Sequence, residues 1–284
     1  MSKRNVLLSL ALSLVMALSF ALVGCGGGGT STSPASTGTA STGAADDGVK
    51  TVAAGLLTVG SDCDYPPFIE MDGAQPKGYE YELLEAIAAE IGVELSYLPP
   101  QNFDTILASI ASNSKMDIGV SSFTINDDRL KLVDFSLPYF DSNQAAVALI
   151  DSDFANAMDF NGKTLGAQSG TTGADWVKEN LTDSGTILKE YNAASEMMAA
   201  LATGDIVGAF FDEPAAAEYV ATTYTNAHII ESIPTGEQYG MAISKDNPGL
   251  LEAVNNAMKT IKQNGTFDTI FLKYFPELTP PSIG

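Results

Sequence analysis

The stretch "YEYELLEAIAAEIGVELSY" (residues 79–97) carries two periodicities back to back. Its first part places Leu83, Leu84, Ile87, Ala88 and Ile91 at spacings of three and four, as in a helix with one buried face. Gly92 follows, suited to the left-handed position that ends such a helix. Beyond it, "VELSY" (93–97) alternates apolar with polar residues like a strand. Upstream, "LLTVG" (56–60) reads as a buried strand. Downstream, "FDTILASIAS" (103–112) returns to helical spacing and "MDIGVSS" (116–122) to a short apolar strand. Strand, helix, strand, helix, strand is the pattern of a parallel sheet with helices packed against it.

A second cycle begins near residue 163. "KTLGAQ" (163–168), "TILKEY" (186–191) and "DIVGAFF" (205–211) read as strands, separated by helical segments at 171–181 and 193–204. A further helix is expected over 213–223, with Pro214 in its first turn. "AHII" and "YGMAI" read as short strands, and "NPGLLEAVNNAMKTIKQNG" (247–265) as a helix capped by Asn247, opened by Pro248 and ended by Gly265. Two such cycles predict an α/β protein of two lobes. "YFDSNQAAVALI" (139–150) and "ESIPTGEQYG" (231–240) are the expected links between them.

The chain of 284 residues opens with Lys3, Arg4 and the apolar run 6–23. That run is long enough to span a membrane, so a retained helix is the alternative to an export signal. The small residues of "LVGC" (22–25) favour cleavage, because they resemble the lipobox of bacterial lipoproteins. The resemblance implies that residues 1–24 are removed and that Cys25 carries lipid. Residues 25–50, nearly all Gly, Ser, Thr and Ala, are then a flexible tether. Removing the signal leaves 12 basic residues against 35 acidic ones. Such an excess of acid disfavours nucleic acid and anionic lipid surfaces. Cys63 would be the one remaining thiol, so the fold must rest on a core rather than on a disulfide. A nucleophilic Cys63 would need a histidine, and the single His228 lies in a short apolar run; both read as structural. No metal-ligand spacing or phosphate loop is present in the sequence, so no cofactor and no metal are expected.

In α/β sheets, ligands bind beyond the carboxyl ends of strands. The first strand leads to "SDCDYPPF" (61–68), the third to "SSFTINDDR" (121–129), the next lobe's first strand to "SGTTG" (169–173) and its third to Asp212. Arg129 is the one arginine outside the signal segment. Its planar fork matches a carboxylate in a way that lysine cannot, although it could equally pair with Asp127, Asp128 or Asp134. Ser121, Ser122 and Thr124 add hydroxyl groups. "SGTTG" offers helix N-terminal amides to an anion, or an ordinary helix cap. Asp212 supplies the opposite charge, or caps a helix. Tyr65 and Phe103 are candidates to stack on a ligand.

The blocks "DYPPF", "GYEYELLEAIAAEIG", "SSFTINDDRLKLVDFSLPYF", "GKTLGAQSGTTG", "GDIVGAFFDEPAAAEYV" and "NGTFDTIFLKYF" together resemble the extracellular solute-binding proteins of amino-acid ABC transporters, family 3. The resemblance implies a type II periplasmic-binding fold. Its first lobe would be residues 51–141 plus 237–284 and its second 142–236, joined by two hinge strands. Arg129 would hold an α-carboxylate with Thr124, Thr171 and Thr172. Asp212, with Ser122, would hold an α-ammonium. Tyr65 and Phe103 would sandwich the side chain, Asp62 would read its end, and Ser121 and Gln168 would complete the site. Glu80 stands where many members have aspartate; this departure reads as structural and leaves the site assignment unchanged. The implied partners are a free polar amino acid, neutral or basic, and an ABC permease with its ATPase. A monomer anchored through Cys25 to the outer face of the cell membrane is expected. The alternatives are a cyclohexadienyl or arogenate dehydratase, which lacks a histidine near the site here, and a sensory module, which usually continues beyond "YFPELTPPSIG".

Overall fold

The computed structural model describes residues 49–113, 115–181 and 185–284. The expected signal segment, Cys25 and nearly all of the tether lie outside them. From the amino end come β1 (Leu56–Gly60), β2 (Asp64–Tyr65), β3 (Ile69–Asp72), β4 (Gln75–Lys77), α1 (Tyr79–Ile91) and β5 (Glu94–Tyr97). Next are α2 (Phe103–Ala111), β6 (Ile118–Gly119), α3 (Asp127–Leu130), β7 (Asp134–Phe135) and the long β8 (Phe140–Leu149). β9 (Thr164–Gln168), α4 (Thr172–Asn180), β10 (Ile187–Tyr191), α5 (Ala194–Thr203), β11 (Gly208–Asp212) and α6 (Glu213–Thr222) follow. The chain returns through β12 (Ala227–Tyr239) to β13 (Ala242–Ile243), α7 (Pro248–Gln263) and α8 (Thr266–Tyr274).

Two five-stranded sheets result. The first runs β5-β1-β6-β13-β7, with β1 parallel to β5 and β6. The second runs β10-β9-β11-β8-β12, with β9 parallel to β10 and β11. Helix α1 buries the face read from its spacing: Leu83, Leu84 and Ile87 are fully buried. Each such side chain contributes about 1.5–3 kcal/mol of transfer free energy. Gly92 ends α1 at φ 81°, as its position suggested.

One feature differs from the sequence reading and two add to it. "AHII" is not a separate strand. It continues through "ESIPTGEQY" as β12, because β8 offers a partner along almost the whole length, Ala227 opposite Leu149 and Tyr239 opposite Phe140. The "NGTFDTIFLKYF" block forms α8, with Gly265 at φ 84° separating it from α7. A small antiparallel sheet, β2-β3-β4, fills the stretch between β1 and α1.

β8 and β12 are the two chain crossings between the sheets, and the expected lobe limits fall inside them. At their meeting point the buried Phe68 ring lies 4.8 Å from Phe140, 5.3 Å from Tyr239 and 5.2 Å from Phe275. Aromatic edge-to-face packing of this kind favours fixed geometry. It gives both crossings a rigid base.

Candidate ligand-binding site

Parallel strands of both sheets point their carboxyl ends at one cavity. It is lined by Asp62 and Tyr65 after β1, Phe103 of α2, and Ser121, Ser122, Thr124 and Arg129 after β6. From the second sheet come Gln168, Thr171 and Thr172 after β9, and Asp212 at the end of β11. All eleven candidates named from the sequence thus line one cavity. The space between these residues, open solvent included, is about 270 Å³.

Arg129 is the only cation of the lining. The Asn126 side chain accepts from its backbone amide at 2.9 Å and so fixes the short turn of α3. The guanidinium is buried and donates to the carbonyls of Thr124 at 2.8 Å and Gly170 at 3.1 Å. It lies 5.5 Å from the Phe103 ring and 5.7 Å from that of Phe123. The surface-pairing alternative is not what forms: Asp134 pairs with Lys245 and Asp128 with Lys131. Among the described residues, Arg129 makes no ion pair at all. Burial lowers its pKa, and the charge of Asp212 opposes that. A buried guanidinium between two rings and two carbonyls, with no carboxylate in ion-pair contact among the described residues, binds carboxylates strongly.

Asp212 stands across the cavity. It occupies the N-cap position of α6, yet its side chain makes no cap hydrogen bond. Its carboxyl instead accepts from the Gln144 amide and, at 2.5 Å, from the Tyr239 hydroxyl. Its backbone amide donates to the Tyr65 hydroxyl at 3.1 Å. Burial, then the charge of Glu237, raises its carboxyl to about 7. A positive group beside it would reverse that shift.

Asp62 is also buried. It accepts from Ser121 Oγ at 2.5 Å and from Gln168 Nε2 at 2.9 Å, so it joins the first sheet's loops to the second's. Burial raises its pKa. Thr172 Oγ1 donates to Glu237 at 2.9 Å. The Thr171 hydroxyl accepts from Ala174 N at 3.2 Å and caps α4, so here the ordinary cap is what forms. Phe103 stacks on Phe123 with centroids 4.7 Å apart, and its ring serves the core as well as the cavity.

Glu80 lies outside the cavity lining but holds one of its residues. Gly78, at φ +124°, packs so closely on the Phe68 carbonyl that a Cβ would come within 2.3 Å of it. That contact starts α1 with the Glu80 side chain aimed inward. Its buried Oε1 accepts from Ser122 N at 2.7 Å, from Ser122 Oγ at 2.9 Å and from the Tyr139 hydroxyl. Ser122 is held at φ 50°. With both of its donors directed at Glu80, Ser122 offers the cavity only acceptors. Burial raises the Glu80 carboxyl to about 7.

Gln144 was not singled out from the sequence. It is fully buried in β8 and its amide reaches Asp212, Thr172 at 3.1 Å and Glu237 at 3.0 Å. Cys63 is buried and its thiol is pushed up to about 11 by that burial, which suppresses the thiolate. His228 sits on β12 opposite Ala148, outside the cavity lining.

The family model of the bacterial extracellular solute-binding proteins, family 3, matches residues 57–277. The chain belongs to this family. Members act outside the cytoplasm, as the family description states. The L-cystine-binding protein TcyJ of Escherichia coli K12 is 31% identical over 236 residues, covering 81% of this chain and 87% of its own. An ancestral arginine-binding protein bound to arginine matches with TM-score 0.74 and 34% identity, over 78% of this chain and 98% of its own. The ancestral amino acid-binding protein AncCDT-1, a precursor of cyclohexadienyl dehydratase, matches with TM-score 0.71 and 31% identity, over 78% and 96%. The two-lobed periplasmic-binding architecture expected from the sequence is the fold of these structures.

Proposed function

We propose that this family 3 protein binds one polar amino acid, neutral or basic, between its two lobes and delivers it to an ABC permease. The observation that carries the reading is the pairing of charges across one cavity. A buried Arg129 without a carboxylate partner faces a buried Asp212, an arrangement complementary to a zwitterion. Arg129 takes the α-carboxylate, with Thr124 and Thr172. Asp212 takes the α-ammonium, with the acceptors of Ser122. Tyr65 and Phe103 flank the side chain, and Asp62, with Ser121 and Gln168, reads its end. A ligand bridging both lobes shifts the population toward the closed form. The lobes are residues 51–141 plus 237–284 and 142–236. A lipid on Cys25 and the 25–50 tether hold a monomer at the outer face of the membrane.

Cystine and arginine, named for the similar proteins, fall in the two ligand classes that the carboxylate-rich lining favours. A thermal-shift screen of residues 49–284 against the twenty amino acids, cystine and ornithine tests the reading, since a ligand of the native state raises the melting temperature. A rise with one chemical class supports it. No rise, together with no amino acid released on denaturation, refutes it.

A second reading is an enzyme on this scaffold. Asp212 near 7 in the cavity is in the range of a general acid, and AncCDT-1 is described as the precursor of an enzyme. The binding reading is preferred, because hydrogen bonds from Gln144 and Tyr239 fix the Asp212 carboxyl as an acceptor. Product formation from cyclohexadienyl substrates would reverse that preference.

A further inference from the structure

One carboxylate beside the cavity has no part in the ligand reading. Glu237 lies in β12 just past Pro234-Thr235-Gly236. There the pairing with β8 jumps from Ile233–Gln144 to Glu237–Ser142. Gly236 takes φ +65°, open to glycine at no steric cost. Such an irregularity bends a strand and re-aims its side chains. The Glu237 carboxylate accepts from Thr124 Oγ1 at 2.6 Å, Thr172 Oγ1 at 2.9 Å and Gln144 Nε2 at 3.0 Å. Thr124 follows β6 of the first sheet, Thr172 opens α4 on the second, and Gln144 lies on a crossing strand. Both threonines line the cavity. Among the described residues, no lysine or arginine forms an ion pair with Glu237.

We propose that Glu237 is a positioning residue: it clasps Thr124 to Thr172 and draws the lobes together whether or not an amino acid is bound. The proposal rests on the two-lobe closure described above. Opening the cleft parts the two threonines, and a carboxylate on one crossing strand cannot follow both. Each loss is that of a charge-assisted hydrogen bond. The clasp therefore weights the closed form in the free protein. Ligand binding then carries a smaller conformational penalty, by the same factor for every ligand. A Glu237 that instead reads the charge of a ligand side chain would discriminate between ligands.

The test compares the purified protein with Glu237→Ala. Small-angle X-ray scattering without ligand gives the lobe separation, and calorimetry with arginine, glutamine and cystine gives affinities. The variant is expected to show a larger radius of gyration when free. Its affinity for each binding ligand should fall by one common factor, about tenfold. Thr124→Val, which removes the first-lobe donor alone, is expected to expand the free protein too, and replaces Glu237→Ala if that variant does not fold. Scattering curves that superimpose on the parent's, or a loss confined to arginine, would overturn the clasp. If the parent binds none of the three, the ligand reading is the part that fails, and scattering alone decides the clasp.

Discussion

Replacing Arg129 with alanine removes the fork assigned to the ligand carboxylate. Truncating one partner of a buried, hydrogen-bonded charge pair costs about 2–5 kcal/mol of binding. A mid-range loss of about 4 kcal/mol corresponds to nearly a thousandfold in affinity. The fold should lose far less. Arg129 gives up two hydrogen bonds to carbonyls and its ring contacts, but removing an unpaired buried charge also relieves its desolvation. The readout is a thermal shift with ligand at about 100 times the parent's Kd, where mass action stabilises the parent by about 2.7 kcal/mol. For a body of this size that is a rise of about 5–11 °C. The same concentration is a tenth of the variant's Kd and stabilises it by less than about 0.1 kcal/mol. The ligand-dependent rise should vanish while the ligand-free melting temperature stays within a few degrees. A variant that keeps half of the parent's rise would refute the reasoning, because the carboxylate would then rest elsewhere.

Three further outcomes follow from the buried carboxyls and the thiol. At pH 6, a free Asp212 near 7 is mostly protonated, and a ligand ammonium favours its ionised form. Binding should therefore release about 0.9 proton, read from calorimetry in buffers of different ionisation enthalpy, and Asp212→Asn should bind more weakly and release none. The Glu80 and Asp212 carboxyls are raised in the fold, so their contribution to stability is fully present below about pH 4 and is lost as pH rises through about 7. The melting temperature of the free protein should fall between pH 5 and 7.5, and less steeply in Glu80→Gln; an unchanged slope in that variant would contradict the assignment. Cys63, pushed up to about 11, should react with iodoacetamide at pH 8 far more slowly in the native protein than after denaturation.

Much of this was legible because strand ends collect the chemistry. Helix α1 showed its face in Leu83, Leu84 and Ile87, and Gly92 marked its end. Asp62, Ser121, Arg129 and Asp212 were visible because each follows an apolar strand and the two lobes bring those ends together. What stayed hidden depends on packing between distant segments. Gln144 directly precedes the apolar run "AAVAL" (145–149), and nothing local says that it faces Asp212. Glu80 is one more acidic residue in a first helical turn, where such residues are ordinary. Only the close approach of Gly78 to Phe68 turns it toward Ser122. The "PTG" before Glu237 reads as a turn, and becomes a strand irregularity only when β8 pairs on both sides of it. Thr171 shows the reverse case: the cap that its position suggested is what its hydroxyl does.

The central claim is that Arg129 and Asp212 hold the two charges of one amino acid. The most direct test takes whichever amino acid gives the strongest thermal shift and titrates it by calorimetry beside its methyl ester and its N-acetyl derivative. The ester lacks the carboxylate and the acetyl form lacks the ammonium, while the side chain is unchanged in both. The account expects the parent amino acid to bind and each derivative to lose at least a hundredfold, about 2.7 kcal/mol. Binding of either derivative within a few fold of the parent would contradict it.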